Sequence, residues 1–82
     1  MEVKPLHPRL RKYLKLRDLE ARFNKQFSLF MANPRHPSLH TERLEPKRLR
    51  IYSFRLDKQY RVIFVVHNQA IEVVDINDHY RP

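Results

Sequence analysis

Not one of the 82 residues is glycine. P-loops and dinucleotide-binding fingerprints need glycine where the backbone closes on phosphate, so both are excluded. Tight turns must rest on Asn, Asp and Pro, and the left-handed backbone positions fall most naturally to Asp57, Asn68 and Asn77. Cysteine is missing too. That removes disulfides, thiolate metal sites and thiol nucleophiles, and it suits a reducing compartment. His36, His40 and His67 follow no zinc-binding spacing, and no metal or other cofactor is expected. No apolar run nears the ~18 residues of a membrane-crossing helix. The opening MEVKPLHPRLRK also lacks a signal-peptide core. The cytoplasm is the expected location, with no membrane partner. Acidic residues are scarce: nine Asp and Glu stand against seventeen Lys and Arg, for a net charge of +8. Such a balance favours polyanionic partners.

What is present suffices for one small folded domain over residues 1–82, since 41% of the chain is hydrophobic and 32% charged. The stretch LRIYSFRLDKQYRVIF, residues 49–64, organises the rest. It reads as two strands, Ile51 to Leu56 and Tyr60 to Val66, around the polar turn Asp57-Lys58-Gln59. Strand alternation turns Phe54 and Leu56 one way and Ser53 and Arg55 the other. It likewise separates Tyr60, Val62, Phe64 and Val66 from Arg61, Ile63 and Val65. Arg61 thus sits among apolar neighbours, where a charge is costly without a partner. Glu72 or Asp75 on the next strand would make it a structural bridge, and a phosphate would make it functional.

Before this hairpin, Glu2 to Leu6 reads as an edge strand, and Pro8 opens a short basic helix carrying Leu10, Tyr13 and Leu14. Asp18 caps a second helix whose apolar stripe is Leu19, Phe23, Phe27, Phe30 and Met31, and Asn33-Pro34 stops it. Arg35 to Pro46 has no apolar period and reads as an irregular loop. After the turn His67-Asn68-Gln69, Ala70 to Ile76 forms the last strand, with Ile71, Val73, Val74 and Ile76 as its apolar members. The expected fold is α+β: two N-terminal helices packed on one face of an antiparallel sheet of three to four strands.

Helices on one face leave the other partly open. Glu42, Arg61, His79 and Tyr80 can converge there, beside the basic residues Lys47, Arg48, Arg50 and Arg55. An acid, a base and a phosphate-binding cation are what phosphodiester cleavage by 2′-OH attack requires. Glu42 or a histidine can act as base, His79 as acid, and Arg61 as a bidentate phosphate clamp. The four basic residues are either a solvated face or contacts to RNA phosphates, whose binding would weaken with salt. Tyr52 is either strand packing or a base-stacking platform.

The motifs HPSLHTERLE at 36–45, IYSFRLDKQYRVIF at 51–64 and DINDHY at 75–80 resemble the RelE/ParE superfamily of type II toxins. The likeness is strongest to its YoeB-like and RelE-like messenger-RNA interferases, and it covers about residues 36–80. It implies Glu42 as general base, Arg61 as phosphate-binding residue, His79 as general acid and Tyr80 as an aromatic that orients or stacks on a base. In the RelE-like or HigB-like pattern the tyrosine follows the histidine by several residues, so His79 matches that branch and Tyr80 does not. The resemblance further implies a metal-independent endoribonuclease that cuts messenger RNA in the ribosomal A site. Its partner would be an acidic, partly disordered antitoxin. Two alternatives belong with it: a non-enzymatic gyrase inhibitor like ParE, or an inactive relic that only binds its antitoxin. A gyrase inhibitor has no need of the Glu42, Arg61 and His79 set.

Overall fold

The computed structural model describes residues 2–78, so His79 and Tyr80 lie outside the described residues. Pro8 takes the first position of helix α1 (Pro8–Leu16), where a missing backbone N–H costs nothing. His7 caps it, its Nδ1 accepting the Arg9 N–H at 3.0 Å. Asp18 does not cap the second helix as expected. It ends the first, in the left-handed conformation at φ 56°. Asp18 N–H bonds the Lys15 carbonyl at 3.2 Å, and Leu19 N–H bonds the Leu14 carbonyl at 2.8 Å. That pair of bonds, with Leu14 and Leu19 both buried, is a Schellman-type stop. Lacking glycine, the chain uses an aspartate, which tolerates this backbone better than most residues. Helix α2 (Glu20–Ala32) then starts with no side-chain cap at Leu19.

Among the described residues five strands make one sheet in the order β1-β5-β4-β3-β2. They are β1 (Glu2–Val3), β2 (Glu42–Arg43), β3 (Ile51–Arg55), β4 (Arg61–His67) and β5 (Ala70–Asn77). The sheet is mixed and has more strands than expected, because β1 runs parallel to β5 and β2 adds to the β3 edge. Both additions are two residues long and exposed. Backbone hydrogen bonding to a neighbouring strand defines them, so side-chain periodicity carries no trace of β2.

Of the three positions expected to be left-handed, Asn68 is so and Asp57 and Asn77 are not. Asn68 and Gln69, at φ 51° and 60°, form a two-residue turn between the paired His67 and Ala70. Both central residues left-handed is the hairpin turn that matches strand twist. Among the described residues the others that are left-handed are Asp18, His40 and Arg50. Asn77 belongs to β5. Asp57 builds its turn through its side chain: Oδ1 accepts the N–H groups of Gln59 and Tyr60, each at 2.8 Å.

Helix-facing residues form the core. Phe54, Leu56, Val62 and Phe64 pack with Ile71, Val73 and Ile76 beneath Leu10, Leu14, Phe23 and Phe30. The Phe30 ring stacks on Phe54 at 5.2 Å and meets Phe64 edge-on at 4.9 Å. Met31 is exposed and leaves the expected stripe. Ile71, Val73 and Ile76 are not spaced in twos, so a regular strand would turn Ile76 away. A bulge solves this: Phe64 pairs with Val73 while Ile63 pairs with Asp75, leaving Val74 as the extra residue. Val74 is accordingly exposed rather than apolar core. Arg9 Nη2 reaches its carbonyl at 3.3 Å. Leu39, in the 3₁₀ turn Pro37–Leu39, is fully buried and ties the following chain to the core.

Candidate active site

The face away from the helices is laid out by strand register. Glu42 pairs with Ser53, Ser53 with Ile63, and Ile63 with Asp75, so these four form one row across the sheet. Arg55, Arg61 and Asn77 form the next row. Paired residues of neighbouring strands point to the same side. Glu42, Ser53 and Arg61 therefore share one face, although 19 positions separate the first from the last in sequence.

Arg61 is only 3% exposed and Ser53 only 1%. The Arg61 guanidinium donates from Nε and Nη2 to Ser53 Oγ, at 3.0 and 2.8 Å, and from Nη2 to the His40 carbonyl at 2.7 Å. His40 supplies that carbonyl from the left-handed end of the 3₁₀ turn, at φ 45°. A guanidinium stays protonated at any ordinary pH, so this is a permanent positive charge in a poorly screened place. The two acids expected as structural partners are engaged elsewhere. Asp75 accepts Asn77 Nδ2 at 2.8 Å and lies 3.8 Å from Arg9, while Glu72 lies 3.9 Å from His67.

Glu42 is exposed on the edge strand, where a carboxylate can meet a substrate hydroxyl. Neither Arg43 nor Arg50 neutralises it. Arg43 instead bonds the Lys47 carbonyl through Nη2 at 2.6 Å and Nε at 3.1 Å, which fixes the connection after β2. Lys47 and Arg48 lie exposed in the 3₁₀ turn Lys47–Leu49, and Arg50 is exposed just past it. Arg55 is half-buried in the row of Arg61. Three of the four basic residues thus lie on the segment that joins β2 to β3, and Arg55 lies on β3 itself.

Two aromatic and imidazole candidates fall elsewhere. Tyr52 pairs with Arg43 and Phe64 on the helix side, stacked on the Phe64 ring at 5.5 Å, so it is packing and not a platform on the open face. His36 caps the 3₁₀ turn, its Nδ1 accepting the Ser38 N–H at 3.2 Å. Ser53 and the His40 carbonyl were not anticipated as partners of Arg61. Ser53 had a signal, a small hydroxyl on the arginine's side of the neighbouring strand. The carbonyl had none, because its aim depends on a loop backbone. Among the described residues no group of three or more His, Asp and Glu could hold a metal ion. No helix there is long and apolar enough to cross a membrane.

No family model matches the sequence. A 43-residue segment is 42% identical to an uncharacterized protein of Haemophilus influenzae, covering 52% of this chain and 43% of that protein. The match thus spans less than half of that relative's length. Three-dimensional likeness extends further. The YoeB/ParE toxin of Agrobacterium tumefaciens superposes with a TM-score of 0.72 at 16% identity, over 98% of this chain and 100% of that one. YafQ of E. coli gives 0.73 at 10% identity, over 95% and 90%. YoeB of Staphylococcus aureus, solved in complex with YefM, gives 0.68 at 18% identity, over 96% and 94%. At these identities the likeness is one of fold, and the chain has the fold of the YoeB, ParE and YafQ toxins.

Proposed function

We propose that this chain, as one domain over residues 1–82, is the toxin of a type II toxin–antitoxin pair in the cytoplasm. Its activity is that of a ribosome-dependent endoribonuclease. The observation that carries this reading is the single face shared by exposed Glu42 on β2 and the buried, permanently charged Arg61 on β4, two strands away. Solved proteins of the same fold are toxins, and one of them was solved with YefM bound, which supports an antitoxin partner. That partner is an acidic segment covering the basic surface.

In the reaction, the Glu42 carboxylate takes the 2′-OH proton, and the freed oxygen attacks the adjacent phosphorus. Arg61 stabilises the charge that grows on the phosphoryl oxygens. His79 gives a proton to the departing 5′-oxygen, leaving a 2′,3′-cyclic phosphate and a free 5′-hydroxyl. Tyr80 orients or stacks on a base. Lys47, Arg48, Arg50 and Arg55 hold the flanking phosphates. No metal or cofactor takes part.

Primer extension on a defined messenger RNA, with and without programmed ribosomes, tests the reading. Cuts at discrete codons only with ribosomes are expected. Cutting of naked RNA would keep the ribonuclease and remove the A-site mechanism. Folded protein that cuts in neither tube would leave the gyrase inhibitor or the inactive relic, which a gyrase supercoiling assay separates.

A further inference from the structure

A hollow away from Glu42, between α2 and the β3–β4 turn, has a volume of about 630 Å³. Four cations line it, Arg22, Lys25, Arg55 and Lys58, against two carboxylates, Asp18 and Asp57. Asp57 is already committed: Arg22 Nη1 bonds its Oδ2 at 2.7 Å, and its Oδ1 holds the turn. Among the described residues Lys25, Arg55 and Lys58 form no ion pair. The lining carries two more cations than carboxylates, and this excess raises the potential of the concavity, which a polyanion relieves. The wall is well held, since buried Gln26 donates from Nε2 to the Arg55 carbonyl at 2.9 Å, tying α2 to the end of β3.

Arg55 is shared. It lines this cleft and also stands in the row of Arg61 on the open face. We infer that the cleft binds the phosphodiester backbone of a single-stranded RNA that continues past the Glu42–Arg61 face, with Lys25 and Lys58 as phosphate contacts. This deepens the ribonuclease reading and rests on it. An acidic peptide fits less well, because such segments anchor through apolar side chains. The apolar groove of this chain, lined by Phe30, Met31, Tyr52 and Phe64, is a different hollow. In the cleft the one large apolar side chain, Leu56, is buried.

The test is fluorescence anisotropy of a short 2′-O-methyl oligoribonucleotide, which cannot undergo 2′-OH attack, so binding is read apart from cleavage. Lys25→Ala/Lys58→Ala should weaken binding several-fold at low salt. It should also reduce the slope of log K against log salt by about 1.4, or ~0.7 for each lost single-strand phosphate contact. Both lysines are exposed, and an unchanged thermal transition will show that the fold is kept. Lys12→Ala/Lys15→Ala on exposed positions of α1 removes the same charge outside the cleft, and it should leave the slope nearly unchanged. Equal losses in the two double variants would overturn the cleft in favour of diffuse charge. So would no loss in Lys25→Ala/Lys58→Ala. Displacement of the oligonucleotide by oligoglutamate at equal charge concentration, lost in the same variant, would overturn RNA in favour of an acidic protein. Failure of the ribosome assay with a positive result here would sink the cleavage reading and leave the cleft standing.

Discussion

The two faces of the β3–β4 hairpin are made by the same five backbone-paired rows and obey opposite rules. On the helix side Phe54, Val62 and Phe64 are buried against aromatic rings of α2, and shape decides what is tolerated. On the other side Ser53 and Arg61 are just as buried, yet hydrogen bonds and charge hold them. A small core can therefore fill one face with apolar volume while the other holds a buried, fixed cation. The arginine is stable there because its donors meet a hydroxyl and a carbonyl.

Substitutions on each face sharpen the contrast. Phe54→Ala should cost the most stability, about 3–5 kcal/mol in denaturant unfolding, since the ring is fully buried and stacked on Phe30. An equally large loss from an open-face variant would erase the distinction. Arg61→Ala should lower cleavage by about 10²–10³. It should also cost roughly 1–3 kcal/mol, because Ser53 Oγ and the His40 carbonyl lose their donor. Arg61→Lys keeps the charge without the fork and should recover only part of the activity. Activity that falls only in step with unfolding would make Arg61 structural.

Glu42→Gln should lower cleavage about 10²-fold while moving stability by no more than about 0.5 kcal/mol, because the residue is exposed on a two-residue edge strand. A large shift in the melting curve would contradict that placement. Asp57→Asn should have the smallest effect, a loss of stability seen near neutral pH and absent in acid. Burial raises the Asp57 carboxyl, but the Tyr60 and Gln59 N–H groups and Arg22 outweigh it and hold the group below its ordinary value. A carboxyl lowered by folding adds stability that is complete above ~pH 3.9 and lost as pH falls through the folded value. Below that window the variant and the parent should converge in urea midpoint. Divergence that grows toward low pH would reverse the assignment.

Alternation and residue chemistry were legible along the chain. Two-residue periodicity placed Arg61 opposite Val62 and Phe64, and strand register put it on the side of Ser53. Helical spacing put Leu10, Leu14, Phe23 and Phe30 inward, as observed. The candidate base and cation were nameable from their types, and register then set them on one face. His79 and Tyr80 lie outside the described residues, so their roles still rest on resemblance.

Glycine-free composition, net positive charge and the periodicities of α2, β3 and β4 are one-dimensional properties, and they sufficed for the α+β architecture and for singling out Arg61. Only the folded chain decided the rest, because each remaining feature depends on backbone groups meeting across long sequence separations. The bulge at Val74 restores the inward side of Ile76. Strand β2 exists through its pairing with β3, and Leu39 enters the core from a segment with no period. Arg61 is retained in the interior because the His40 carbonyl, 21 residues away, arrives at its guanidinium. Every residue has a carbonyl, so no side-chain pattern can announce which one will serve.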